Sequence, residues 1–372
     1  MLWLREIDAL GSCERHYIVE AELGSEILIP GLVTYPEPGS AQRLRIITFE
    51  PDSTGLYKYI LRFRCPQRPV PEGEAVPPEF LQEGTSKGYV FPDGPIGELA
   101  ALLSLRLQAR FFLLSTSLRN GGEHDDVVQK TEHAPLRGRY GRHVDRVIFT
   151  VTDKNTTQLA PFLDKIRSIP AKHHLEIAVA ADHYARALRM VGVDEEMVFV
   201  RLVSAVEKVM GKHPGDPLAD KLLEVDGLTR EEIGELKTTL QARRSGARFV
   251  AFLEKYSAGF FDAEPREPAH IQVKPETLGA VAKAIYRARS GYLHAGDPMY
   301  LSAIFPGSPQ WHSDPSVGRT WQNRSFTQEQ KLPCADFFHR LVRHCLLARI
   351  DELAAENAVA AATLEPRRQA DA

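Results

Sequence analysis

One short stretch, YRARSGYLHAGDP at residues 286 to 298, holds residue types that suit the handling of a phosphodiester. Arg289 supplies a planar guanidinium, a group that binds phosphate with two parallel hydrogen bonds and stabilises charge developing on it. His294 supplies an imidazole, which takes or gives a proton near neutral pH. The stretch therefore predicts a small phosphate-handling site. The alternative interpretation is a solvated helix end that is basic by chance.

The helix that must position these residues is predicted over 275–296. It begins with Pro275 near its first turn and stops at Gly296, as helices commonly do. On such a helix Arg289 and His294 are separated by about 140° of rotation and about 7.5 Å of rise. The two side chains therefore do not share a face. They meet only if the long arginine stem swings toward the imidazole beside the helix end.

The hydrophobic period of the chain changes near residue 155. Before this point, runs rich in Ile, Val, Tyr and Phe predict strands at 16–23, 26–35, 43–50, 58–65 and 146–153. A helix is predicted among them at 95–114, and after residue 155 the 3.6-residue period predicts helices only. The predicted fold class is α+β. Its parts are a β-rich N-terminal domain over 1–155, an all-α domain over 156–355 and a flexible tail over 356–372.

Composition limits the kind of protein. The 372 residues are 43% hydrophobic and 26% charged with a net charge of -3, which indicates a folding chain rather than a general polyanion binder. No apolar run approaches the roughly 18 residues of a membrane helix, so no membrane partner is expected. The 4 cysteines form no C-x-x-C pair. They predict reduced thiols in a cytoplasmic protein, with no metal and no cofactor.

Three stretches of the second half resemble the HEPN superfamily (higher eukaryotes and prokaryotes nucleotide-binding), in particular its Apea-like branch. IYRARSGYLHAG is similar to that branch's Y-x-x-R-S-x-x-x-H-G signature, matched here by Tyr286, Arg289, Ser290 and His294, with Ala295 inserted before the glycine. FVRLVSAVEKVMG resembles the family's helix that carries a glutamate, here Glu207. FFHRLVRHCLLARI resembles the closing helix, whose arginine is here Arg343. The resemblance covers about residues 160–355.

The resemblance implies a metal-independent endoribonuclease that works as a homodimer, with two Arg/His motifs lining one cleft. Carried over by residue, His294 would be the general acid or base, Arg289 would hold the scissile phosphate, and Ser290 would be a secondary polar contact. Tyr286, Glu207 and Arg343 would support the site, with Glu207 a structural anchor for Arg343. The branch is associated with bacterial antiphage and abortive-infection systems, which implies an effector or toxin that cleaves RNA.

Two other functions stay open from the residues. One is a catalytically silent dimerisation module whose N-terminal domain binds a partner. The other is nucleotide binding or nucleotide transfer at the same Arg/His cleft. An exposed cleft that contains Arg289 and His294 favours the nuclease, whereas burial of both in ordinary salt bridges favours the silent module.

The N-terminal half contributes one further candidate, the basic stretch RGRYGRHVDR at 137–146. Its four arginines surround an aromatic residue, and this combination can follow a phosphate backbone. The candidate RNA contacts are Arg137, Arg139, Arg142 and Arg146. The alternative is a solvated basic loop before a strand. A β-rich domain of this length also fits a sensor, whose ligand or phage-derived trigger is unknown.

Overall fold

The computed structural model describes residues 16–25, 33–36, 43–49, 57–66, 94–120, 127–130, 159–191, 194–211, 245–263, 273–299, 320–321, 324–325, 332–333 and 335–370. Within these residues, no helix is both long enough and apolar enough to cross a membrane. The predicted strand at 146–153 and the basic stretch at 137–146 lie outside the described residues.

Six strands of the N-terminal half form one antiparallel sheet of order β2-β3-β4-β1-β5-β6. They are β1 His16–Ser25, β2 Val33–Pro36, β3 Arg43–Phe49, β4 Tyr57–Pro66, β5 Phe112–Asn120 and β6 Val127–Lys130. Val19 of β1 lies opposite Phe63 of β4 on one side and Leu118 of β5 on the other. β-branched and aromatic residues favour such pairs because they pack well on a pleated surface.

The described residues form eight helices. They are α1 Gly94–Leu107, α2 Leu159–Ser168, α3 Ala171–Met190, α4 Glu195–Val209, α5 at 245–256, α6 Phe260–Ala263, α7 Leu278–Ala295 and α8 Ala335–Ala370. A 3-10 turn at Pro275–Thr277 leads into α7, and two short strands, β7 Thr320–Trp321 and β8 Arg324–Ser325, pair as a hairpin. The last helix continues to Ala370, past residue 356 where a flexible tail is predicted. The stretch AVAAA at 358–362 has high helix propensity.

Backbone contacts divide the chain into two compact units. The first contains residues 1–189 together with 350–372, and the second contains residues 190–349. In the first unit Arg189 donates a hydrogen bond from Nη2 to the Phe111 carbonyl at 2.9 Å. In the second unit the rings of Phe199 and Phe338 stack with centroids 5.0 Å apart. Helices α4, α5 and α7 all belong to the second unit.

The predicted fold class, a β-rich N-terminal domain followed by an all-α bundle, is wrong. The unit that holds the sheet also holds α1, α2 and nearly all of α3, so no β-rich domain ends at residue 155. Among the side chains that the structure describes, most of those buried lie on helices. The second unit is not all-α either, because it contains the β7–β8 hairpin. Local periodicity identifies single elements, but packing between distant elements decides how they group.

Candidate functional site

Helix α7 carries four of the predicted site residues, Tyr286, Arg289, Ser290 and His294. The helix ends where the sequence stops favouring it: Gly296 adopts φ 70°, a left-handed conformation that glycine tolerates without strain. The Asp297 N–H then donates to the Gly291 carbonyl at 3.2 Å and closes the last turn. Because His294 lies in this last turn, the glycine cap fixes the backbone that presents it.

Helix α4 supplies the carboxylate that Arg289 binds. Glu207 Oε2 accepts a hydrogen bond from Arg289 Nη2 at 2.8 Å, and Glu207 Oε1 accepts one from the Tyr286 hydroxyl at 3.0 Å. Among the described residues, each oxygen of the carboxylate thus has one hydrogen-bond donor, and both donors lie on α7. Tyr286 and Arg289 are three positions apart, the spacing at which two helical side chains are neighbours. One glutamate can therefore hold both.

The ring of Tyr286 is held from a third helix, α5. Its centroid lies 5.5 Å from that of Phe249. A β-carbon at Gly246 would stand 3.1 Å from Tyr286 Cδ1, so the glycine lets the ring lie directly against the backbone. Burial raises the pKa of the Tyr286 hydroxyl, and the Glu207 carboxylate raises it further, whereas Arg289 and Ser245 act in the opposite direction. The phenol therefore stays protonated as the donor to Glu207.

Arg289 is positioned and largely enclosed. Its side chain is 16% exposed, and that of Glu207 is 22% exposed. The guanidinium carbon lies 5.8 Å from the centre of the Tyr286 ring, within range of a cation–π contact. Nε is buried and has no hydrogen-bond partner among the described residues, while Nη2 is bound to Glu207.

His294 is exposed at the end of α7. It makes no hydrogen bond with Arg289 in the described part of the chain, as expected for residues about 140° apart on a helix. Next to it, Leu293 is a large hydrophobic residue with 46% of its surface exposed. Within one copy of the chain, the structure brings Arg289 to Glu207 and leaves the imidazole open to solvent.

The segment that follows α7 is hydrogen-bonded to the first turn of α4. The Met299 N–H donates to Glu196 Oε1 at 2.6 Å, and the Met299 side chain is buried. Glu196 lies in the first turn of α4, whose N-cap Asp194 accepts a hydrogen bond from the Met197 N–H. Glu196 is not among the predicted site residues.

The remaining predicted residues lie elsewhere. Arg343 is half-buried on α8. The sequence predicts it as the partner of Glu207, but the two oxygens of Glu207 bind Tyr286 and Arg289. Ser290 lies next to Arg289 and is half-buried. Arg137, Arg139, Arg142 and Arg146 lie outside the described residues.

No known protein family, no curated protein and no solved structure matches this chain. The HEPN resemblance therefore stays a prediction that depends on the residues quoted above.

Proposed function

We propose that the protein is a metal-independent endoribonuclease of the HEPN type, acting in the cytoplasm as an antiphage or abortive-infection effector. Arg289 binds the scissile phosphate and His294 exchanges the proton. The observation that supports this proposal most is that the Arg289 guanidinium is already oriented by a hydrogen bond to Glu207. The guanidinium is held at Nη2 by Glu207, and the Arg289 side chain keeps 16% of its surface exposed. A cation whose orientation is fixed before substrate arrives stabilises developing charge without reorganisation.

The reaction follows from the chemistry of RNA. The ribose 2′-hydroxyl loses its proton to a general base and attacks the adjacent phosphorus. The P–O2′ bond forms, the P–O5′ bond breaks, and the departing 5′-oxygen takes up a proton. The products are a 2′,3′-cyclic phosphate and a 5′-hydroxyl. The exposed imidazole of His294 serves one of the two proton transfers, and Arg289 stabilises the charge on the phosphate oxygens.

A homodimer completes this site. Within one copy, Arg289 and His294 point about 140° apart, so one copy presents both to a single phosphate only with difficulty. A two-fold axis places the same patch of both copies face to face and doubles the set of groups in one cleft. Arg289 of one copy and His294 of the other then act on the same phosphodiester.

The test is cleavage of total RNA in EDTA by the purified protein and by His294→Ala. Wild type is expected to produce 2′,3′-cyclic phosphate ends, and the variant to be slower by on the order of 10²- to 10⁴-fold. Loss of wild-type activity in EDTA, or full activity of the variant, contradicts the proposal.

The silent dimerisation module is the second candidate, and one observation favours it. Arg289 is 16% exposed and already paired with a carboxylate, as in an ordinary structural salt bridge. A module of this kind would dimerise but leave RNA intact, and the same incubation separates the two candidates.

A further inference from the structure

Two glutamates on α4 make contacts around the motif: Glu207 binds Arg289, and Glu196 binds the Met299 N–H, five residues after His294. Glu196 and Glu207 are eleven positions apart, which on a helix corresponds to about 20° of net rotation and about 17 Å of rise. Both therefore lie on one face of α4, and both bind groups on α7 or directly after it. The helices run in opposite directions, since the end of α4 contacts the middle of α7 and its start contacts the exit of α7.

Glu207 sets the orientation of the guanidinium. A single hydrogen bond to Nη2 would leave the arginine stem able to turn, but the same carboxylate is itself held by the Tyr286 hydroxyl. The Tyr286 ring is in turn packed against Phe249 and the glycine backbone at 246. The orientation of Arg289 thus depends on a chain of contacts through three helices.

Glu196 acts at the other end. The last turn of a helix lacks partners for its carbonyls and frays easily. Here the exit after His294 is bound to Glu196 through the Met299 N–H at 2.6 Å. That hydrogen bond links the segment after Gly296 to α4, close in sequence to the turn that holds His294.

We propose that Glu207 and Glu196 are positioning residues, Glu207 for Arg289 and Glu196 for the turn that presents His294. The proposal rests on the proposed ribonuclease function. Helix α4 would then position both reactive side chains. Both glutamates contact polar groups of the motif or of the segment that follows it, and not the apolar core.

The experiment compares leucine and glutamine at both positions. Glu207→Leu removes both acceptors. Glu207→Gln keeps an acceptor for Arg289 and offers an N–H to the Tyr286 oxygen after the hydroxyl rotates. Glu196→Gln likewise keeps a carbonyl for the Met299 N–H. Glu276, exposed on the 3-10 turn before α7, gives matched Leu and Gln controls.

Steady-state RNA cleavage is measured for each variant at a temperature where circular dichroism shows it folded. Both leucine variants are expected to lose on the order of 10- to 100-fold in kcat, the scale of a small misplacement of reacting groups. Their KM is expected to stay within about threefold of wild type, and both glutamine variants to stay within about threefold in kcat. The Glu276 variants are expected to match wild type.

Amide hydrogen exchange supplies a readout that needs no catalysis. Glu207→Leu is expected to speed exchange around residue 289, and Glu196→Leu around residues 294–297. If wild type cleaves RNA and the leucine variants are as active, the positioning roles are wrong but the ribonuclease proposal stands. The same conclusion follows if the glutamine variants are as impaired as the leucine variants. If wild type itself leaves RNA intact, the ribonuclease proposal fails, and the exchange pattern alone decides whether α4 holds the two turns.

Discussion

At the scale of single residues, the site depends on how one carboxylate divides its two oxygens. Glu207 binds a tyrosine through Oε1 and an arginine through Oε2. Losing either donor leaves a partly buried oxygen without its partner, which costs more than the net worth of the hydrogen bond. The position of Arg289 therefore depends on Tyr286 as well as on Glu207.

Tyr286→Phe tests this division. Removing the hydroxyl is expected to lower the free energy of unfolding by about 1–3 kcal/mol, because one oxygen of Glu207 is left without its donor. Urea unfolding measures it, and Tyr292→Phe on the same helix is the control. A loss no greater than that of the control would contradict the structural role of the Tyr286–Glu207 hydrogen bond.

The stability difference between wild type and Tyr286→Phe is expected to depend on pH. The pKa of Tyr286 in the folded state is raised, by burial first and by Glu207 second, above the usual value of 10.0. Its contribution to stability is thus fully present below about pH 10 and is lost as the pH rises through the raised pKa. The stability difference between wild type and Tyr286→Phe is expected to shrink over that window in urea unfolding. A difference that grows with alkalinity would contradict the assigned shift.

Sequence reasoning identified the residues of the Glu207 cluster but not its connections. The signature spacing on α7 pointed to Tyr286 and Arg289, and the resemblance of FVRLVSAVEKVMG to the family's glutamate-bearing helix pointed to Glu207. The sequence predicts Glu207 as an anchor for Arg343, whereas its hydrogen bonds among the described residues go to Tyr286 and Arg289, because which helix faces α4 at this level depends on packing that the sequence does not display. Glu196 gave no signal of its own, since a glutamate in the first turn is already explained by the helix dipole.

At the scale of elements, the start of α4 decides where Glu196 lies. The N-cap Asp194 accepts a hydrogen bond from the Met197 N–H at 3.0 Å through Oδ1. Asp194→Ala is expected to cost about 0.5–2 kcal/mol of stability, because an N-terminal donor of the helix loses its acceptor. Asp194→Asn, which keeps an oxygen at the same place, is expected to retain most of that stability. Equal stability of the alanine variant and wild type in thermal unfolding would contradict the cap.

The close approach of α5 to α7 gives a second test at this scale. A β-carbon at Gly246 would lie 3.1 Å from the Tyr286 ring, so Gly246→Val must push the ring aside. We expect a cost of about 1–3 kcal/mol in urea unfolding. Gly279→Ala is the control, since its β-carbon would meet the end of the exposed Glu254 side chain, which can move, and Val250 Cγ1 at 3.7 Å, an ordinary contact distance. If the valine variant were as stable as the control, the packing of Tyr286 against α5 would be wrong.

Elements were easier to predict than their grouping. The 3.6-residue period placed α7 within a few residues of its ends, and Gly296 marked its stop. The predicted helix at 95–114 instead ends at Leu107, and Gln108 turns the chain with φ 56° before β5 begins at Phe112. A continuous apolar run such as FFLL does not distinguish strand from helix. The division near 155 failed because α2 and α3 group with the sheet.

At the scale of the whole molecule, the proposed site needs two copies. The net charge of -3 gives no general attraction to RNA, so affinity must come from residues gathered at the site. Light scattering at micromolar concentration is expected to give twice the mass of 41.6 kDa. Specific RNA cleavage activity is expected to fall when dilution separates the copies. A monomer with full activity would contradict the two-fold site.

The central claim is that Arg289 acts on a phosphate, and a comparison of two arginines on one helix tests it most directly. Arg287 is exposed and lies about 200° from Arg289 around α7, so it faces away. Lysine keeps the charge at either position but cannot hold Glu207 and a phosphate with one planar fork. Single-turnover RNA cleavage in EDTA is expected to fall on the order of 10²-fold or more in Arg289→Lys, and to be unchanged in Arg287→Lys. Equal rates in the two variants would contradict the claim.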